Sequence, residues 1–252
     1  MFVSVAVPEE DNGGAVIVCP SLMTDALAGY RAEVLLARSL AAKGHAAIRM
    51  HYRGTGHSDG DGAVTFDSMV DDAIRAADEV ARHGRPVAFV GSRLGALVAA
   101  AAAGRRGARA LAMWEPATEA ELYFRESVRG RLMRETVQRN RTKVTARGLF
   151  AELAGGATID VLGYPLTPQL YESFAGRTLA ALLDATRCPA LAVHFGRSQA
   201  HQEALANLAA SHGLEVDAVP AAIDWWLLDN GRLPPEALIE HTSGWLAEQV
   251  GR

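Results

Sequence analysis

Apolar and polar positions alternate along this chain in a repeating order. Short apolar, β-branched runs at Val3–Val7, Ala15–Cys19, Ala46–His51, Pro86–Val90, Ala108–Trp114, Ala190–Phe195 and Leu214–Val219 predict strands. Longer stretches at Arg31–Lys43, Phe66–His83, Leu94–Ala103, Gln199–His212 and Pro235–Val250 predict helices between them. Strand–helix alternation packs as a mostly parallel, doubly wound sheet with helices on both faces, an α/β fold. The link Glu10-Asp11-Asn12-Gly13-Gly14 is short and turn-rich, which predicts an antiparallel hairpin between the first two strands.

The alternation breaks once, from about 116 to 184. That stretch is helix-rich and interrupted at Gly155-Gly156 and Gly163-Tyr164-Pro165, breaks between short elements. It is expected to form a helical cap over the C-terminal edge of the sheet, inserted into one domain covering 1–252.

Composition changes this picture little. With 49% hydrophobic and 21% charged residues the chain is an ordinary globular protein. The longest apolar run, around Leu97 to Ala103, is far short of the ~20 residues of a membrane helix. Met1–Val7 carries no basic leader or cleavage site, and Cys19 and Cys188 sit at strand ends as free thiols do; a cytoplasmic location is expected. Charge is uneven. Between Arg125 and Arg147 eight basic residues face Glu126 and Glu135, a surplus of six that leaves the remainder at −10 within a net −4. Such a segment is either a solvated helix face or a site that attracts an acidic carrier or partner protein. No nucleic-acid motif, metal-ligand spacing, dinucleotide fingerprint or phosphate loop is present, so no nucleic-acid partner, metal or cofactor is expected.

The most informative stretch is Val90-Gly91-Ser92-Arg93-Leu94-Gly95-Ala96. A strand ending in Gly-x-x-x-Gly and followed at once by a small-residue helix matches the nucleophile elbow, whose middle residue stands at the top of the sheet. That residue here is Arg93. Together with His51-Tyr52-Arg53-Gly54-Thr55-Gly56-His57-Ser58-Asp59-Gly60 and Trp114-Glu115-Pro116, the elbow resembles the α/β hydrolases, and within them the hydrolase-like proteins associated with exosortase A systems. The likeness spans nearly the whole chain and implies an α/β-hydrolase fold, hydrolase-like function and a degenerate catalytic triad.

The resemblance places nucleophile, acid and histidine in that order. The acid loop reads Gly196-Arg197-Ser198-Gln199-Ala200 and the histidine loop Pro220-Ala221-Ala222-Ile223-Asp224-Trp225-Trp226, so all three seats lack the usual residue. A serine cannot be activated without a histidine oriented by a carboxylate.

Several readings stay open. Arg93 either binds an anion at a helix N-terminus, with a fork suited to carboxylate or phosphate, or pairs internally with Glu115 or Asp224 and plugs the site. Catalysis without a triad would draw on Arg93, with Ser92, His51 or His194 as further candidates. Ser21, Leu22, Leu94, Glu115, Tyr123, Asp224 and Trp225 are the candidate lining of a small-molecule site for an anionic or acyl (ester or thioester) compound. The first reading is an enzyme with non-triad chemistry. The second is a non-catalytic pseudoenzyme, acting as ligand sensor or complex partner. The third is an unorthodox hydrolase using Ser92 or Cys19.

Overall fold

The computed structural model describes residues 1–60, 64–139, 144–219 and 236–251. Strands β1 (Phe2–Ala6), β2 (Ala15–Cys19), β3 (Ala46–His51), β4 (Val87–Ser92), β5 (Leu111–Trp114), β8 (Ala190–His194) and β9 (Glu215–Ala218) form one sheet in the order β1-β3-β2-β4-β5-β8-β9. All pairings are parallel except β1 with β3. Around it stand α1 (Met23–Ala42), α2 (Phe66–Ala81), α3 (Leu94–Arg106), α8 (Gln199–His212) and α9 (Glu236–Val250). Between β5 and β8 the chain inserts α4 (Ala120–Arg139), α5 (Ala146–Ala154), a small hairpin of β6 (Ile159–Val161) and β7 (Tyr164–Leu166), α6 (Pro168–Ser173) and α7 (Leu179–Leu183).

The two-residue period of the strands sorts the core into two layers. Val16, Val18, Ala88, Val90 and Ala112 pack with Leu36 and Leu40 of α1 and Leu238 and Leu246 of α9. Ile17, Cys19, Phe89 and Met113 face the other way, against α2, α3 and Leu205 of α8. Because β2 and β4 are covered on both faces, every one of their residues is buried, which is why they read as unbroken apolar runs. Helix α3 lies in the thick of the second layer, and small side chains let it approach: Leu94 through Ala103 are all buried. Polar caps mark five other helix starts; Thr65, Thr145, Thr167, Thr178 and Ser198 each accept a hydrogen bond from the amide three residues on.

The predicted hairpin of the first two strands does not form. β1 is antiparallel, but to β3, with Phe2 opposite His51. Both hydrogen-bonding edges of β2 are taken by β3 and β4, so β1 adds at the outer edge instead. There it is largely solvent-facing, with Phe2, Val3 and Val5 exposed. Helix α1 also begins eight residues earlier than its periodicity suggested, at Met23, because exposed Leu27 and Tyr30 and buried Gly29 blur the stripe. Among the described residues no helix is long and apolar enough to cross a membrane.

Candidate active site

β4 delivers Gly91 and Ser92 to the top of the sheet, and the chain turns into α3 through Arg93, at φ 51° and ψ −118°. A side chain at positive φ costs about 1–3 kcal/mol, sustained only where the surroundings fix the backbone. Those surroundings are tight. A Cβ on Gly91 would stand 2.4 Å from the Gly95 carbonyl oxygen, and one on Gly95 2.4 Å from the carbonyl oxygens of Cys19 and Pro20. Two glycines thus let the β4–α3 turn press against the end of β2. The Arg93 amide donates to the Trp114 carbonyl at 2.9 Å, and the Arg93 carbonyl accepts from Ala117 at 3.1 Å, locking the turn to the end of β5.

The Arg93 side chain is buried and internally paired. Its Nε donates to Asp25 Oδ2 at 3.1 Å, Nη1 to the Glu115 carbonyl at 3.3 Å and Nη2 to Glu126 Oε2 at 3.2 Å. Expected carboxylate partners were Glu115 and Asp224. Glu115 instead offers its backbone oxygen, and Asp224 and Trp225 lie outside the described residues. The carboxylates that do pair come from the first turn of α1 and from α4, 68 and 33 residues away in sequence. They differ in setting: the Asp25 side chain is 9% exposed, that of Glu126 65%. Burial pushes the Asp25 carboxyl up despite the opposing pull of Arg93.

Tyr123 of α4 closes the site from above. Its hydroxyl donates to the Leu22 carbonyl at 2.8 Å and lies 3.4 Å from Ser21 Oγ, while its ring centroid is 5.7 Å from the Arg93 guanidinium carbon. Ser21, Leu22, Leu94 and Tyr123 are therefore gathered around the elbow, and all are buried.

Other candidates fall elsewhere. Ser92 points to the α1 face, its hydroxyl 3.5 Å from Glu33 Oε1, and so is no substitute for the residue at the apex. Cys19 is fully buried, and desolvation pushes its thiol far up, which disfavours the thiolate. His51 joins Phe2 and His57 in a ring cluster at the end of β3, with centroids 5.1 and 5.2 Å away, and accepts the His57 amide at Nδ1. The structure does not bring it to Arg93.

His194 does reach the neighbourhood, in company that sequence reasoning missed. Glu115, at φ 41° just after β5, extends its carboxylate into the loop after β8, which carries no acid of its own. Oε1 accepts the amides of Phe195 and Gly196, and a Cβ on Gly196 would crowd that oxygen at 3.1 Å. His194 Nδ1 lies 2.9 Å from Oε1, and His201 Nε2, in the first turn of α8, 3.2 Å from Oε2. Burial lowers the His201 imidazole pKa, and nearby Arg93 and His194 lower it further against the pull of Glu115. A carboxylate from the neighbouring strand end thus reaches the loop in which the acid was expected. Only the combination of a strand-end acid with His-x-x-x-x-x-x-His across β8 and α8 could have signalled it.

Comparison with known proteins identifies the family and the fold. Residues 16–153 match the family described as serine aminopeptidase, S33. Est1E from Butyrivibrio proteoclasticus, solved with ferulic acid bound, has a TM-score of 0.70 at 16% identity, over 100% of this chain and 96% of that one. A proline iminopeptidase from Mycobacterium smegmatis gives 0.63 at 18% identity, over 98% and 94%. A putative hydrolase from Agrobacterium vitis S4 gives 0.60 at 20%, over 98% and 92%. At these identities the likeness is one of fold. No curated protein sequence matches the chain.

Proposed function

Because this chain belongs to the serine aminopeptidase family of α/β hydrolases, we propose that it keeps the scaffold and replaces covalent serine chemistry with recognition of an anionic small molecule at Arg93. The supporting observation is the asymmetry of the two carboxylates on that guanidinium. Buried Asp25 balances the charge that folding requires, and exposed Glu126 occupies the Nη2 edge where a ligand carboxylate or phosphate would sit. Glu126 is then a displaceable internal anion: it leaves the fork to water when a ligand arrives. Catalysis, where it follows, is electrostatic, because Ser92 and Cys19 are both turned into protected environments.

Titration of the full chain with inorganic phosphate and with octanoate tests this by calorimetry. Removing the internal competitor with Glu126→Gln is expected to tighten anion binding severalfold while leaving the fold intact, since an exposed pair contributes only about 0–1 kcal/mol. Exposure to a fluorophosphonate is expected to leave the intact mass unchanged; a stoichiometric adduct on Ser92 would sink the proposal. Equal, negligible anion binding by both proteins would favour the second reading, a sealed pseudoenzyme that acts through a partner. That reading draws on Tyr123, which ties α4 down onto Leu22 over the seat, and on the basic stretch from Arg125 to Arg147 as a surface for an acidic partner.

A further inference from the structure

The acid seat is itself a ready set of ligands. We propose that Glu115, His194 and His201 bind one divalent transition-metal ion of zinc's class, with the Glu115 carboxylate, Nδ1 of His194 and Nε2 of His201 as ligands. Nothing in this depends on how Arg93 is used.

The chemistry of the set comes first. Two imidazoles and one carboxylate suit zinc, cobalt or nickel, and three protein ligands leave a further coordination position open. The three donor atoms lie within 4.8 Å of one another. Around an ion bound at about 2.0–2.1 Å, neighbouring ligand atoms stand roughly 2.9–3.4 Å apart. His194 Nδ1 lies 2.9 Å from Oε1 and His201 Nε2 3.2 Å from Oε2, so both nitrogens meet the one carboxylate on that scale.

Proton sharing alone explains the cluster less well. His194 Nδ1 and His201 Nε2 are both buried, and neither has a hydrogen-bond partner in acceptable alignment, although a carboxylate lies beside each. The outer shell fits as well. The Phe195 and Gly196 amides hold Oε1 and so fix the carboxylate. His201 sits in the first turn of α8, which brings its ring to the end of β8. Spacing in the sequence conceals the set because its members come from three elements, the ends of β5 and β8 and the start of α8.

The test uses the full chain, stripped with a chelator and titrated with cobalt(II) and zinc(II) alone. The expected result is one equivalent of cobalt with visible absorption of a nitrogen–oxygen site, displaced by zinc. Glu115→Gln risks the fold, because that side chain holds two backbone amides, so His201→Ala on the partly exposed turn of α8 is the first variant. It is expected to weaken zinc binding by roughly a hundredfold with an unchanged circular dichroism spectrum. His51→Ala/His57→Ala, at the separate histidine cluster, is expected to bind as the parent does. Absence of a one-to-one cobalt spectrum would overturn the proposal, and so would zinc affinity unchanged in both His201→Ala and His194→Ala.

Discussion

Arg93 carries a charge into the interior, and its worth to the fold is decided by what remains when it is removed. Arg93→Ala leaves Asp25 buried without its cation, at a cost of about 3 kcal/mol. Thermal unfolding should register this as a fall of roughly 10 °C. Replacing both partners, as Arg93→Met with Asp25→Leu, is expected to recover most of that loss, because no orphan charge is left. Equal destabilisation of the single and double variants would show that Arg93 acts through packing instead. A second buried carboxylate titrates within reach of ordinary buffers. Burial lifts Glu33 to about 7, although Arg49 and Ser92 pull it down. Between its unfolded value and about 7 the folded protein holds a proton that the unfolded chain releases, so stability falls as pH rises through that window and levels off above it. Denaturant midpoints from pH 4.5 to 8 should trace the decline, and Glu33→Gln should flatten it. Of these pairings only the central arginine was legible from the sequence, since the elbow motif is local. Asp25, Glu126 and His201 reach the site from segments whose approach is set by tertiary packing.

At the scale of elements, the turn between β4 and α3 and the exposed face of α4 give opposite answers to the same substitution. Gly95→Ala would drive a Cβ into two carbonyl oxygens of the β2 end, so it is expected to cost at least about 3 kcal/mol and to lower soluble yield. Gly130, midway along α4, has nothing within 4 Å of the position a Cβ would take, and Gly130→Ala is expected to stabilise by roughly 0.5–1 kcal/mol. Chemical denaturation of the two variants separates the cases, and a neutral Gly95→Ala would mean that the elbow is looser than its geometry. The same contrast explains what could be read in advance. β2 and β4 announced themselves because burial on both faces leaves an unbroken apolar run. The partner of β1 did not, because strand pairing depends on which edges remain free once the rest of the sheet has formed.

For the molecule as a whole, the parallel sheet and its two helical layers followed from periodicity, and the hydrolase scaffold from the resemblance carried by the elbow, His51–Gly60 and Trp114–Pro116. The residues at the elbow and in the loop after β8 could be read position by position, but the side chains that gather around them could not. Arg93 keeps φ at 51° with no hydroxyl to present, so the backbone cost of the elbow belongs to the scaffold and falls on any non-glycine occupant. Seen as inheritance, the turn is fixed architecture and its occupant a replaceable tenant. An arginine codon can become a serine codon by one base change, so the occupant of the turn can change without remaking the fold, although a serine placed there would still lack the histidine that activates it.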